Sequence, residues 1–525
     1  MAKDSWSRRQ FVKGTAAAVT GAGLLGARDT SALSSSNASV PPGRWHHDSD
    51  VVVVGFGAAG AAAAYEAARA GASVTVLDTS ATGGGDTAIS AGFIFMGGGT
   101  PLQIVNGHSE TPEQMFPVVR AMGGEGADPD VIRTWCERGP DLYRWLTTRV
   151  GVVYDSASLS FSGMEQHALF RHLAPGGNPV PHCHYEVGAT PQTGGAALFA
   201  KLSQAALGAG HVKLKGRIKA TRLIQDPITR RVLGVIGKAV DAGGVIAPGA
   251  PDQFFRASRA VVIATGAFSI DREMMARHNP NLLTFNHWSQ SNADGSGIRL
   301  AQQAGGDLRL MKAWWSMVFF AASPITARGI LVSPQGSRFV AEDGNYYWIG
   351  YHLVAQHQTA YLIYDRAILD GLGLPPEAGC LSASTIEELA DAIDQRDQVG
   401  MSRELLAATV NAYNSMANAD GTSGRDPAFS KDPRFVLPLT RAPFYAVKHT
   451  AAEAQGTTGG GVRVSVRSEV LDPTGERIPG LYAAGTCSSL TMSERYTGSG
   501  TAIAGALVFG RIAGQEAAAQ MPWGR

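Results

Sequence analysis

The chain has 525 residues, too many for one ordinary hydrophobic core and enough to bury a large cofactor. Its 45 basic and 44 acidic side chains nearly cancel, with no basic stripe, which excludes a nucleic-acid partner and favours small molecules. The four scattered cysteines, Cys136, Cys183, Cys380 and Cys487, form no Cys-x-x-Cys pair, which excludes a disulfide framework, a c-type haem attachment and a zinc cluster.

Residues 1–47 read as a signal and linker. "SRRQFVKG", from Ser7 to Gly14, runs into the mildly apolar "TAAAVTGAGLLGA", a pattern that resembles a twin-arginine export signal with Arg8 and Arg9 as the pair. The apolar run is too short for a permanent membrane span, so the expectation is export to the periplasm or the outer face of the membrane. That route carries folded proteins, which suits a chain that collects a cofactor before export.

Next comes "DSDVVVVGFGAAGAAAAYEAARAGASVTVLD". The β-branched run Val51 to Val54 predicts a buried parallel strand, and Gly55, Gly57 and Gly60 follow it with the G-x-G-x-x-G spacing of a dinucleotide grip. Ala58 and Ala59 open the helix whose N–H groups and partial positive charge face a pyrophosphate. Asp78, followed by Thr79, stands at the end of the second strand, where an acid accepts ribose hydroxyls. In "TGGGDTAISAGFIFMGGGTPLQ" the clustered small residues Gly84, Gly85, Asp86, Thr87, Ser90, Ala91 and Gly92 let a backbone pass close to something flat. Between His182 and His184 lies Cys183, but no further ligand cluster stands nearby, so no metal site is expected.

Three later segments complete the pattern. "RAVVIATGAF" is another buried strand with a glycine turn at Ala264, Thr265 and Gly266, and Asp294 sits in "NADGSGIRLAQQAGG". Near the end, "RIPGLYAAGTC" carries Gly485 and Thr486, and "SGTAIAGALVFGRIAG" begins a helix at Gly500, Thr501, Ala502 and Ile503. Taken with the two N-terminal segments, these resemble the cofactor contacts of the FAD-dependent fumarate reductase/3-ketosteroid dehydrogenase superfamily. The resemblance covers most of the chain and implies FAD rather than NAD. It also implies an α/β fold: a Rossmann-type FAD-binding domain, discontinuous over residues 48–280 and 441–525, with an inserted α+β cap or substrate domain at 281–440.

Three landmarks separate the branches of that superfamily. Fumarate-type reductases carry an arginine four residues after the glutamate of "RF-x-N-E", a histidine in "H-T-x-G-G" and an arginine before the last helix. Here the first motif reads "SRFVAEDGNYYW", so Tyr346 takes the arginine position, and the second reads "QGTTGGG", so Gly456 takes the histidine position. Only Arg495 remains, in "SERYTGSG". Both departures resemble the 3-ketosteroid dehydrogenase branch, although "GGGTPLQ" is closer to the enzymes acting between carbons 4 and 5, and Tyr496-x-Gly498-x-Gly500 to those acting between carbons 1 and 2.

What that branch implies is dehydrogenation of a CH–CH bond beside a ketone on an apolar, steroid-like molecule. By resemblance the Tyr496 hydroxyl and Gly500 N–H would hold the carbonyl oxygen, and Tyr346 or its neighbour Tyr347 would take the α-proton. A phenol is a poor base at neutral pH, so a site that favours the phenolate is expected. "WWSMVFFAAS" reads as cap core rather than pocket wall. The runner-up is an exported fumarate- or urocanate-type enoate reductase with Arg495 and Arg328 as carboxylate contacts, and a third reading is a flavoprotein that only transfers electrons. Export is compatible with a membrane quinone as the electron acceptor.

Overall fold

A computed structural model describes residues 42–524 except 125, 162–164, 284–285, 288, 290–291, 355–357, 419–423 and 490–494. The expected export pair, Arg8 and Arg9, lies outside the described residues. In chain order the elements that position the site are β1 (His47–Val54), α1 (Ala58–Arg69), β2 (Val74–Asp78), β3 (Val212–Gly216), β4 (Ile218–Gln225), β5 (Val232–Ala239) and β6 (Gln253–Ile263). They continue with β7 (Ile330–Val332), α2 (Tyr346–His352), β8 (Thr359–Asp365), β9 (Leu381–Ala383), β10 (Phe444–Thr450), β11 (Glu469–Leu471), β12 (Arg477–Ala483) and α3 (Thr501–Ala519).

The large sheet runs β11-β12-β6-β1-β2-β3, with β5 added antiparallel to β6 and β4 to β5. Its centre is parallel: Val51 pairs with Val74 on one side and Ala260 on the other. Strands covered on both faces bury every side chain, which is why Val51, Val52 and Val53 are completely inaccessible and form a continuous apolar run. Both ends of the chain thus supply this sheet, β12 lying parallel to β6.

Small residues set the packing over β1. A Cβ at Gly60 would stand 1.9 Å from the Gly55 carbonyl oxygen, so only glycine lets α1 approach its own strand. α3 crosses α1 in the same way: a Cβ at Gly510 or Gly514 would meet the backbone oxygens of Ala59 and Ala63 at 2.5 and 2.3 Å. The alanine-rich composition of α1 follows from this double burial, since larger side chains would force the two helices apart.

A second sheet, antiparallel, runs β7-β8-β10-β9. It draws three strands from the segment expected to form the cap, and β10 comes from beyond residue 440, pairing Leu362 with Val447. Among the described residues no helix is long and apolar enough to cross a membrane.

Candidate active site

The turn after β1 is built around Asp78. One carboxylate oxygen accepts the Phe56 N–H at 2.7 Å, and the other accepts the N–H and O–H of Ser80, both at 2.8 Å. This locks the glycine loop to the end of β2. Thr87 reaches across from the second segment to accept the Ala58 N–H at 3.0 Å, tying the start of α1 to the Gly-rich run.

In front of this turn lies a cavity of about 370 Å³. Gly55, Gly57, Ala58, Ala59, Asp78, Thr79, Gly85, Asp86, Thr87, Ser90, Ala91 and Gly92 line it from the first two segments. Ala264, Thr265, Gly266, Asp294, Gly485, Thr486, Gly500, Ala502 and Ile503 line it from the later ones. Three expected contacts do not line it. Gly60 packs α1 on Gly55, Gly84 precedes the short helix Gly85–Ile89, and the Thr501 hydroxyl turns inward to the Gly498 carbonyl at 2.8 Å. Each does structural work one position away from the wall.

The cavity fits FAD. At Gly57 an added Cβ would meet no chain atom closer than 3.5 Å, and at Gly266 none within 4 Å, so at these two glycines the space a side chain would take is left open to a ligand. Lys219 and Asp294 form an ion pair of 2.7 Å on one wall, and Asn292 donates to the Thr79 hydroxyl at 3.1 Å beside it. The Asp294 carboxyl, although burial opposes its ionisation, is held below the usual carboxylate range by Lys219.

At the other end four aromatic rings meet. Tyr347 packs against Tyr346, Tyr496 and Trp315 with centroids 4.5, 4.6 and 5.7 Å apart, and Trp315 stacks on Tyr496 at 4.9 Å. All four line the cavity, as do Met317, Phe319 and Ala322. "WWSMVFFAAS" is therefore partly pocket wall, correcting its reading as core; Phe319, 56% exposed, could not have been placed from its apolar neighbours alone.

The tyrosines are held by buried scaffolding. Glu342 of the "RFVAE" motif is spent structurally: it accepts the Leu331 N–H at 2.9 Å, pairs with both nitrogens of the Arg338 fork and lies 3.2 Å from Lys431. Asn345 then accepts the Tyr347 N–H at 2.8 Å and starts α2. The Tyr346 hydroxyl is 2.7 Å from Ser499 Oγ, a partner the sequence reading missed because it lies 153 residues away. The Tyr496 hydroxyl accepts the Ala502 N–H at 3.3 Å, at the N-terminus of α3.

Burial pushes the phenol pKa of all three tyrosines upward, Tyr347 most completely enclosed. The expected phenolate is thus disfavoured. The hydrogen bonds of Tyr346 to Ser499 and Tyr347 oppose the shift without reversing it. Arg495 does not line the cavity; its guanidinium stacks over Trp348 and Tyr351 at 5.0 and 5.6 Å. Arg328 lies over Phe435 at 5.4 Å and is likewise absent from the wall. Among the described residues Lys219 is the only cation that lines the cavity, and Asp294 already pairs with it.

The "HCH" run proves to be a buried support for Gly500. His182 lies 3.0 Å from Glu110 and 3.3 Å from Glu165, and its ring stacks on Phe95 at 4.8 Å. Phe95 in turn donates its N–H to the Gly500 carbonyl at 3.2 Å. Burial alone would discharge His182, but Glu110 and then Glu165 raise its pKa to about 10. His184, by contrast, is pushed down to about 4 by burial and hydrogen-bonds Thr100 and the His182 carbonyl. Among the described residues no three His, Cys, Asp or Glu side chains are grouped to hold a metal ion.

Replacing His182 by leucine leaves Glu110 buried without its counter-charge, and the expected cost is about 3–5 kcal/mol, read as a fall in Tm. The sign of the pH dependence follows from the raised pKa. The stability His182 contributes is complete below about pH 6.5, its unfolded pKa, and is lost as the pH rises through about 10.

A family model described as an FAD binding domain matches residues 50–503. Over 92% of this chain and 99% of the other, the fold superposes on the crystal structure of a 3-ketosteroid-Δ4-(5α)-dehydrogenase from Rhodococcus jostii RHA1 in complex with 4-androstene-3,17-dione, with a TM-score of 0.81 and 33% sequence identity. The chain is 28% identical to the fumarate reductase (cytochrome) of Shewanella frigidimarina, covering 94% of this chain and 80% of that one. A urocanate reductase of Eggerthella lenta is also 28% identical, covering 90% of this chain and 75% of its own length. The family match spans the glycine loop, the Gly-rich second segment and the start of the last helix, and the chain belongs to the FAD binding domain family as an FAD-dependent oxidoreductase of the fumarate reductase/3-ketosteroid dehydrogenase group.

Proposed function

We propose that this protein oxidises a carbon–carbon bond beside the ketone of an uncharged, apolar, steroid-like substrate. The observation that carries the reading is the composition of the catalytic end of the cavity: three tyrosine hydroxyls and a serine, with no arginine among the described wall residues. A dicarboxylate or an enoate entering there would bury its charge against phenols, a cost that only a paired cation offsets.

Bound FAD would supply the acceptor for the hydride that leaves the β-carbon. The chain supplies the proton chemistry. Tyr496, whose oxygen accepts the Ala502 N–H, is polarised to donate its own proton in a hydrogen bond to the ketone oxygen, making the α-proton more acidic. Tyr346 takes the α-proton on its phenol oxygen in its deprotonated form, and Ser499 Oγ–H donates a hydrogen bond that stabilises that form against burial. Tyr347 and Trp315 fix the two hydroxyls by ring packing and exclude water.

The test is anaerobic mixing of the yellow holoenzyme with a panel of saturated 3-ketosteroids while the flavin absorbance is followed. Bleaching by a member of the panel is the expected result. If every ketone fails and dithionite-reduced enzyme is reoxidised by fumarate or urocanate, the reading is wrong and a reductase takes its place.

A further inference from the structure

We propose that His182 is a positioning residue for the reaction: it fixes the backbone at Gly500, so that the Gly500 N–H stays on the ketone oxygen beside the Tyr496 hydroxyl. The role given to that N–H rests on the ketone reading, whereas the fixing of Gly500 does not.

The cluster behind Gly500 is an unusual thing to bury. The side chains of His182, Glu110 and Glu165 are each 1% exposed, with the carboxylates 3.0 and 3.3 Å from opposite nitrogens of one ring. Well-packed apolar side chains of similar volume would stabilise the fold about as well, so stability alone does not account for three ionisable groups at this place. What the cluster adds is orientation. With a carboxylate on each nitrogen, the ring cannot turn without losing one of them.

A short path carries that orientation to Gly500. The His182 ring lies against the Phe95 ring at 4.8 Å with an interplanar angle of 11°, and the His182 carbonyl accepts the Met96 N–H at 2.8 Å. Glu110 accepts the Gly98 N–H at 3.0 Å, so the backbone is gripped on both sides of Gly97. Gly97 itself leaves no slack: a Cβ there would stand 2.5 Å from the His182 ring and 2.9 Å from the Glu110 carboxylate. Phe95 then donates its N–H to the Gly500 carbonyl at 3.2 Å, and a Cβ at Gly500 would stand 2.6 Å from that same nitrogen. Gly500 precedes α3 with a φ of +92° and lines the cavity, so a displacement of Phe95 passes directly into the wall. A misplacement of about 1 Å in a group that meets the reacting atoms costs about 100-fold in rate.

The test separates the two half-reactions of the holoenzyme. In His182→Gln the bleaching of the flavin by a saturating ketone falls by about 10- to 100-fold, while reoxidation of the dithionite-reduced flavin by a dye, which involves no ketone oxygen, keeps its wild-type rate. Phe95→Leu stays apolar and keeps the N–H to Gly500 but breaks the same path, so it shows the same split and serves as the readout if His182→Gln does not fold. Amide hydrogen exchange gives a second measure. The amides of Ala502 and Ala504, bonded to the Tyr496 hydroxyl and the Gly500 carbonyl, exchange about 10-fold faster in either variant while the rest of α3 stays protected. Wild-type bleaching in either folded variant overturns the assignment, as does an equal fall in both half-reactions. If no ketone bleaches the wild type, it is the ketone reading that fails, and exchange decides the fixing of Gly500: faster exchange upholds it and unchanged exchange overturns it.

Discussion

Tyr496→Phe lowers kcat for ketone dehydrogenation by about 10²–10³-fold while FAD content and Tm stay near wild type, as expected for removal of one preorganised donor to a developing oxyanion. The substitution is close to a pure deletion of one oxygen. The ring sits between Trp315 and Tyr347 at 4.9 and 4.6 Å, contacts that phenylalanine retains. What is lost is the hydroxyl that sits on the N-terminus of α3. The Ala502 N–H left behind is a first-turn amide of that helix, one of the donors that lacks an intrahelical partner. Steady-state kinetics separate the possibilities. A change confined to KM means that Tyr496 only binds the ketone, whereas a fall in kcat and in kcat/KM together means that its hydrogen bond strengthens in the transition state.

Much of this site was legible in the sequence because it is written in backbone geometry. Gly55, Gly57 and Gly60 have a fixed spacing for a fixed reason, and the strand before them and the acid after them fall in register with β1 and β2. The tyrosines were legible through their position in motifs. What escaped the reading arrives from distant segments or depends on which way a side chain turns. Ser499 meets Tyr346 only after the second sheet and the last helix are folded together, and Lys219 reaches Asp294 across 75 residues. Strand β10 pairs with β8 from beyond the expected cap boundary, since nothing local in "FYAVKHT" names its partner. Asp78 occupies its expected place, lining the cavity, and it also holds Phe56 and Ser80, a second task that no spacing rule contains.

The phenolate expectation failed for a related reason: a sequence states that a tyrosine is present, and the surroundings decide its charge. Those surroundings are apolar and aromatic around Tyr346, with no described cation among the residues lining the cavity beside it. A raised pKa makes the phenol a reluctant base alone, and it raises the value of a donor that stabilises the phenolate. Ser499 Oγ, at 2.7 Å, is that donor. Tyr346→Phe should therefore reduce kcat by about 10²–10⁴-fold, the usual worth of a positioned proton-transfer group. Ser499→Ala should reduce it less while leaving substrate binding unchanged. The pH profile discriminates further. Proton abstraction is favoured by the deprotonated form, so in wild type the rate climbs with pH toward an apparent pKa above the ordinary phenol value, because burial moves the titration upward. Loss of the Ser499 hydrogen bond removes an interaction that lowers the pKa, and the climb shifts to still higher pH in Ser499→Ala. A profile that is identical in wild type and Ser499→Ala would separate the titrating base from the serine and overturn this role for Ser499.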